Sequence, residues 1–147
     1  MKLSTRSRYG ARLMFELAIN HGSEFILLKD IARRQDISEK YLSKLIIPLR
    51  GTGLVQSARG HHGGYRLAKE PGAITFREIV ELLEGDIVPV ECVKDSAVCD
   101  RVSLCPTRDV WCMLSDVILD TLESITLKDI VERFQSRPSS SGADYCI

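Results

Sequence analysis

The first 85 residues alternate between segments of helical periodicity and short polar breaks. Apolar residues recur every three or four positions over residues 8–20, and the same spacing returns over 28–35 and from Ser38 to Leu49. A tight turn at residues 36–38 separates the last two segments, and serine is a residue type that commonly caps a helix. The pattern therefore predicts three helices, of which the second and third form a helix-turn-helix.

A β-hairpin is predicted directly after the third helix. Residues 53–57 and 65–67 are short, partly apolar stretches that indicate two strands, and the segment 59–64 between them contains three glycines. Glycine permits the positive φ angles and the close backbone approach that a hairpin tip requires. Thr75 then caps a fourth predicted helix, which ends at Gly85.

The second part of the chain contains one long predicted helix. Residues 86–106 show no periodicity, whereas from residue 107 to about 124 the chain carries an apolar stripe at positions 110, 113, 114, 117, 118, 122 and 125. Because the stripe is too wide for one neighbour to cover, we expect it to contact its own domain and a second copy of the chain. Thr126 is predicted to cap a short helix over 127–134 that follows, and the Ser-rich end is expected to be disordered.

These elements predict a mainly α-helical fold with a small β-hairpin wing. This is the layout of a winged helix-turn-helix, here extended by a long dimerisation helix. We expect four segments, which are a DNA-binding domain at 1–85, a cysteine-containing sensor loop at 86–106, the dimerisation and terminal helices at 107–135, and a disordered tail at 136–147.

The net charge of zero conceals a strong asymmetry. Residues 1–69 carry 13 Lys and Arg against 5 Asp and Glu, whereas residues 70–147 carry 7 against 15. A basic half that meets phosphates, beside an acidic half that stays clear of them, accounts for this division. Some winged helices are protein-interaction modules instead, and the positive charge of the first half favours DNA over that alternative.

The predicted helix-turn-helix gives a set of candidate DNA contacts. The second helix of the pair is expected to enter the major groove, and the wing to reach the backbone or the minor groove, where an arginine fits well. The candidates are Ser38, Lys40, Tyr41, Ser43 and Lys44 on the helix and Arg59, Gly63 and Gly64 on the wing. The two histidines of the wing, His61 and His62, are interpreted as solvent-exposed residues rather than ligands.

Several motifs resemble those of a known family. Among them are Ser38-(x)2-Tyr41-Leu42 in the third helix, Arg59-Gly60-(x)2-Gly63-Gly64-Tyr65 in the wing and Pro89-Val90-Glu91-Cys92 in the loop. Together they resemble the Rrf-type family of bacterial winged-helix transcriptional regulators, with its IscR-, NsrR- and CymR-like members, from residue 1 to about 134. The resemblance implies a homodimer, built on the long helix, that binds a pseudo-palindromic DNA operator.

Three of the five cysteines lie in the non-periodic loop. Cys92, Cys99 and Cys105 are separated by six and five residues, a spacing at which an irregular loop lets thiolates converge. The resemblance implies that these three hold an iron–sulfur cluster, 2Fe–2S or 4Fe–4S, that senses redox state, iron supply or nitric oxide. Arg108 stands where IscR-like members have a histidine ligand. A zinc site, a thiol switch and a loop without metal are the alternatives.

The sequence contains no recognisable catalytic motif. Its three histidines lie at 21, 61 and 62, away from the cysteine loop, and neither a Gly-rich phosphate cradle nor a metalloprotease spacing occurs. The apolar runs are too short for a membrane span, and the first six residues are polar and charged. We therefore expect a cytoplasmic regulator that is not an enzyme.

The last four residues end the Ser-rich segment with an aromatic residue and an isoleucine. This ending resembles the C-terminal isoleucine tail by which serine acetyltransferases dock into cysteine synthase, an enzyme that also partners cysteine-metabolism repressors of the same family. The resemblance implies a second mode of control, without a cluster, in which Tyr145 and Ile147 bind cysteine synthase.

Overall fold

The computed structural model describes residues 2–138, and helices dominate this part of the chain. The helices are α1 (Thr5–Ile19), α2 (Leu28–Gln35), α3 (Glu39–Gly51), α4 (Phe76–Glu84), the single-turn α5 (Glu91–Lys94), α6 (Pro106–Glu123) and α7 (Leu127–Gln135). The strands are β1 (Val55–Ala58) and β2 (Gly64–Leu67). Short 3-10 turns lie at Pro71–Ala73, Ser96–Val98 and Val102–Leu104.

Helix α1 lies at the centre of the hydrophobic core. Its Leu13, Met14 and Leu17 are at most 1% exposed, and α1 contacts α2, α3, α4, α7 and the second strand. Leu42 and Leu49 of α3 are fully buried in the same core. Since burying one such side chain stabilises the fold by roughly 1.5–3 kcal/mol, this packing determines where the solvent-facing side of α3 points.

The turn between α2 and α3 has the geometry that the helix-turn-helix prediction requires. Asp36 follows α2 in the left-handed region, with φ of 50°, a conformation that aspartate tolerates better than most residues. The Ser38 hydroxyl oxygen accepts a hydrogen bond from the backbone N–H of Tyr41 at 3.2 Å. Ser38 therefore caps α3, which confirms the start predicted for this helix.

Strands β1 and β2 form an antiparallel hairpin, the wing. Val55 pairs with Leu67 at its base, and Ala58 pairs with Gly64 near its tip. Ile26, just before α2, pairs with the second strand of the wing as a third, very short β segment. Its N–H donates to the Tyr65 carbonyl at 2.9 Å, and its carbonyl accepts from the Tyr65 N–H at 2.8 Å. These bonds hold the wing in a fixed position beside the helix-turn-helix.

Helix α7 returns to the core formed by α1 and α4. The backbone N–H of Leu127 donates to the carbonyl of Ile74 at 3.0 Å, and the Leu127 side chain is fully buried. At the other end of α7, the ring of Phe134 contacts Phe15 of α1 edge to face, with centroids 5.1 Å apart. The helix-turn-helix part of the chain and the terminal helix therefore share one core.

Helix α6 packs on α4 along one side only. Ser115 on that side is buried, and Ile118 and Leu122 are half-buried. Four other residues of the predicted stripe face solvent, with Val110, Met113, Leu114 and Val117 between 42% and 67% exposed, and Trp111 beside them is 38% exposed. One part of the stripe thus contacts its own chain, and the other part is largely open to solvent within residues 2–138.

The predicted fold class is confirmed, since the chain is mainly helical with a two-stranded hairpin. The differences lie at element ends and in the loop. Helix α1 begins at Thr5, three residues before the predicted periodic segment, and the loop at 86–106 contains one helical turn and two 3-10 turns. Among the helices of residues 2–138, none combines the length and the apolar composition that crossing a membrane requires.

Candidate nucleic-acid interface

Helix α3 is buried on one side and open to solvent on the other. Leu42, Leu45, Ile46 and Leu49 form the buried side. Four of the predicted contact residues are exposed, namely Ser38, Lys40, Ser43 and Lys44. The helix therefore presents polar and basic groups at its N-terminal end, the end that contacts base edges in helix-turn-helix proteins.

Tyr41 has a different environment from the other four candidates on α3. It is half-buried, and its ring contacts the ring of Tyr9 on α1 edge to face, with centroids 5.9 Å apart. The guanidinium of Arg12 lies 5.4 Å from the centre of the Tyr9 ring. Such aromatic and cation–π contacts fix one helix relative to another. Tyr41 thus sets the position of α3 against α1.

The fold itself requires glycine at the two wing positions, Gly63 and Gly64. A side chain on Gly63 would lie 2.6 Å from the carbonyl oxygen of Ala58, and one on Gly64 would collide with the backbone of Ile26. Gly64 also has φ of +143°, which side-chain-bearing residues rarely adopt. Both glycines let the wing close on itself and on the strand segment at Ile26, and their contact with DNA stays a prediction.

A groove of about 390 Å³ lies between α3 and the wing. Ser43 lines it from the helix, and Arg59, Gly63 and Gly64 line it from the wing. The structure thus brings these predicted residues to one surface. Lys40 and Lys44 are exposed on α3 outside this groove, so the candidate contacts form a surface that extends beyond it.

Two exposed side chains on α3, Glu39 and Ile47, were not predicted from the sequence. Glu39 and Arg50 line the groove beside Ser43, and Ile47 is 66% exposed on the same helix. The spacing of 39, 43 and 50 places these residues on one helical face, a signal that was available from the sequence. Ile47 departs from the usual pattern, because it is an apolar residue on the exposed side of a helix whose other leucine and isoleucine residues are buried.

A polar network beneath the helix-turn-helix was also not identified from the sequence. Glu16 of α1 is nearly buried, accepts a hydrogen bond from the Gln35 amide at 2.6 Å and pairs with Arg34 at 3.4 Å. Arg12 donates through Nε to the Gln35 side-chain oxygen at 2.8 Å. These contacts join α1 to the last residues of α2, so they position the turn that leads into α3.

The three loop cysteines are separated in space. Cys92 is half-buried on α5, Cys99 is exposed, and Cys105 is half-buried at the start of α6. Within residues 2–138, no three side chains of His, Cys, Asp or Glu lie close enough together to hold a metal ion. In this arrangement the residues present do not fit an iron–sulfur cluster.

Arg108 and Thr107 determine the local chemistry of this loop. Arg108 Nε donates to the carbonyl of Cys92 at 3.1 Å, so a guanidinium links the two ends of the loop. Cys105 Sγ lies 3.2 Å from Thr107 Oγ1. Hydrogen bonds from Thr107 and from the backbone N–H of Arg108 lower the pKa of the Cys105 thiol below its ordinary value. Tyr145, Cys146 and Ile147 lie outside the described residues.

Comparisons with known proteins identify one family. A family model described as Rrf2, an iron-dependent transcriptional regulator, matches residues 3–133. The HTH-type transcriptional regulator CymR of Bacillus subtilis (strain 168) is 44% identical over 130 residues, which cover 88% of this chain and 89% of that protein. All of these similarities extend over nearly the whole described chain.

Two solved structures have the same fold and substantial sequence identity. The structure of CymR (YrzC), the global cysteine regulator of B. subtilis, superposes with a TM-score of 0.78 at 42% identity, covering 90% of this chain and 98% of that one. IscR of T. potens superposes with a TM-score of 0.76 at 36% identity, covering 99% and 94%.

Proposed function

The chain belongs to the Rrf2 family of transcriptional regulators, and from this premise we propose that it represses its target genes by binding an operator as a cytoplasmic homodimer. The second helix of the helix-turn-helix enters the major groove, and the wing lies along the adjacent backbone and minor groove. The target genes belong to cysteine or iron–sulfur metabolism.

The surface between α3 and the wing carries this proposal. Both elements belong to the basic half of the chain, and both border the same groove. Among residues 2–138, no acidic group lies within ion-pair distance of Lys40, Lys44 or Arg59. Their positive charges are therefore available to an external polyanion.

The proposed contacts divide into two kinds. Ser38, Lys40, Ser43 and Lys44 contact bases and phosphates of the major groove, and Arg59 enters the minor groove. Gly63 and Gly64 let the wing backbone approach the DNA closely, since neither has a side chain that would hold it away. Tyr41 contributes by holding α3 in place against Tyr9.

The test is the salt dependence of DNA affinity. A binding site is first selected from a random duplex library, and the dissociation constant is then measured by fluorescence anisotropy between about 50 and 200 mM salt, the range over which DNA-binding proteins lose much of their affinity. We expect the affinity to fall steeply with salt for the selected site and for random DNA. Affinity that does not change with salt would contradict DNA binding and favour a protein-interaction module.

Cysteine metabolism is supported by the relatives. The B. subtilis protein that shares 44% identity with this chain is CymR, and its solved structure is described as that of the global cysteine regulator. Chromatin immunoprecipitation from the source bacterium tests the proposal. We expect enrichment of promoters of cysteine or iron–sulfur genes, and enrichment confined to unrelated promoters would contradict it.

An iron–sulfur sensor is a second candidate, and it requires the loop to rearrange, because its three cysteines do not lie together within residues 2–138. It is supported by three cysteines within one loop and by the description of the matching family as iron-dependent. If Cys92, Cys99 and Cys105 are ligands, each Cys→Ala variant purified without oxygen loses a visible chromophore that the Cys112→Ala control keeps. A wild-type protein that stays colourless and iron-free after reconstitution would remove this candidate.

Binding to cysteine synthase is the alternative way to control the regulator, and it needs no cluster. It depends on Tyr145 and Ile147, which lie outside the described residues. Titration calorimetry with the full-length protein and a variant lacking Ile147 tests it. Equal binding by both proteins, or no binding by the intact chain, would exclude this partner.

A further inference from the structure

Glu39 is the first residue of α3 and the only acidic residue among those that line the groove between α3 and the wing. It is exposed, and Ser43 and Arg50 lie on the same side of the helix. Arg59 and Gly60 of the wing border the groove opposite. A carboxylate thus projects from the surface that the proposed function assigns to DNA.

The fold itself makes little use of this carboxylate. Ser38 alone caps α3, and the Ser43 hydroxyl donates to the backbone carbonyl of Glu39 at 2.9 Å rather than to its side chain. Within residues 2–138, the Glu39 carboxylate has neither an ion-pair partner nor a hydrogen-bond donor. Its remaining structural contribution is a favourable charge at a helix N-terminus, which is small for an exposed side chain.

An unpaired negative charge on this surface disfavours DNA binding wherever it faces phosphates. This unfavourable contribution to the binding free energy is offset only where the carboxylate accepts a hydrogen bond from a donor on a base. In the major groove those donors are the N4 amino group of cytosine and the N6 amino group of adenine. Adenine places the N7 acceptor beside its amino group, and guanine and thymine present acceptors, so three of the four bases repel a carboxylate at least in part.

We infer that Glu39 is a specificity-determining residue, which accepts a hydrogen bond from the N4 amino group of a cytosine in each half of the operator. The inference rests on the proposed function, because it assumes that α3 enters the major groove. It adds discrimination against wrong sites to that function, since the same carboxylate disfavours DNA that presents a hydrogen-bond acceptor where the operator has this cytosine. Lys40 and Lys44 supply affinity, whereas Glu39 supplies discrimination.

The test compares base preferences selected by variants of the full-length protein. Wild type, Glu39→Ala, Glu39→Gln and the exposed α7 control Glu132→Gln each select sites from the same random duplex library, and the selected sites are sequenced. We expect E39A to lose the preference for cytosine at one position in each half-site, by roughly tenfold or more in relative affinity. E39Q should prefer adenine there, because an amide pairs with N6 and N7. E132Q should select the wild-type sequence.

The possible results separate this inference from the proposed function. If E39A and E39Q select the wild-type sequence and bind all DNA more tightly by the same factor, Glu39 only repels phosphates and the inference is wrong, while the proposed function stands. If the wild type selects no sequence and its binding does not depend on salt, both are wrong. E39Q keeps the size of the side chain and therefore tests the idea even if E39A unfolds.

Discussion

The two arginines of the wing show how availability for DNA differs between neighbouring residues. Arg66 donates through Nε to the Gln56 side chain at 3.2 Å, and its guanidinium lies 4.4 Å from the centre of the Phe25 ring. Arg59 is exposed and has neither kind of contact within residues 2–138. A guanidinium without internal partners can enter a narrow minor groove without first breaking contacts.

Arg59→Ala should therefore weaken binding to the selected operator by about 1–3 kcal/mol. Arg66→Ala is the matched control, because it removes the same charge from the same hairpin, and we expect a smaller loss. Fluorescence anisotropy at one fixed salt concentration measures both. If R59A loses affinity equally for the operator and for random DNA, Arg59 contacts phosphates and does not distinguish sequences.

At the scale of elements, one carboxylate joins the beginning of α1 to the end of α4. Glu84 accepts hydrogen bonds from the backbone N–H of Ser4 at 3.2 Å, from the Ser4 hydroxyl at 2.8 Å and from the Ser7 hydroxyl. Ser7 is 2% exposed. The Ser7 and Ser4 hydrogen bonds lower the pKa of Glu84 below its ordinary value of 4.5. Glu84 thus acts as the cap that α1 does not supply from its own side chains.

Replacing Glu84 with alanine should destabilise the fold by about 1–2 kcal/mol, because the buried Ser7 hydroxyl loses its acceptor. The matched control is Glu81→Ala on the same helix, where a partly exposed ion pair with Arg77 is lost but no buried hydroxyl loses its acceptor. Urea denaturation at neutral pH measures both free energies of unfolding. Equal losses for the two variants would show that Glu84 is no more than a surface charge.

The same contact has a pH dependence whose sign follows from the lowered pKa. The ionised Glu84 stabilises the folded state fully above the unfolded-state pKa of about 4.5, and this contribution is lost as the pH falls through the lower folded-state value. The difference in unfolding free energy between wild type and E84A should stay constant from pH 7 to about pH 5 and shrink below it. A difference that grows at acid pH would contradict this assignment.

Two capping boxes fix the starts of α4 and α7. Thr126 Oγ1 accepts from the backbone N–H of Asp129 at 3.2 Å, and the Asp129 carboxylate accepts from the backbone N–H of Thr126 at 2.7 Å. Thr126→Ala should cost about 0.5–2 kcal/mol of unfolding free energy, the range for lost caps. The control Thr121→Ala, at an exposed position inside α6, should be nearly neutral, and a similar cost at both positions would show that the cap contributes nothing special.

The elements that sequence analysis predicted correctly are those determined by local chemistry. The caps at Ser38, Thr75 and Thr126 each act within three residues, so a short window of sequence contains the whole signal. The bond between Ser7 and Glu84 and the network around Glu16 join residues far apart in the chain. Sequence spacing carries no information about such contacts, and both were missed.

The candidate site was likewise predicted only in part. Basic and hydroxyl side chains on α3 were recognised because their spacing places them opposite the buried leucines. Glu39 was not among the predicted contacts, although the helical spacing that exposes Ser43 also places Glu39 on the exposed face. The packing of Tyr41 on Tyr9 needed the tertiary structure.

At the scale of the whole molecule, the prediction of a regulator rather than an enzyme is confirmed by the relatives, which are transcriptional regulators. The division of charge agrees with the architecture. The helix-turn-helix and the wing lie in the basic half, and the cysteine loop and α6 lie in the acidic half. In the proposed complex, the acidic second half repels DNA phosphates, which leaves the apolar side of α6 for another contact.

The last prediction concerns that apolar side. Val117 is 62% exposed near the middle of α6, among Val110, Met113 and Leu114, and exposed apolar groups on consecutive helical turns are typical of an interface between subunits. Val117→Glu places a carboxylate without a partner in the proposed seam, so the dimer should dissociate and operator affinity should fall, because each half-site is then bound alone. Val98→Glu, at a 55% exposed position in the cysteine loop, is the control.

Sedimentation velocity of both variants and of the wild type distinguishes the outcomes. A dimeric wild type and V98E beside a monomeric, folded V117E would support the seam on α6. A V117E protein that remains a dimer would place the interface elsewhere. A monomeric wild type that still binds a two-fold operator would mean that the copies assemble on DNA, and the exposed side of α6 would then be buried only in that complex.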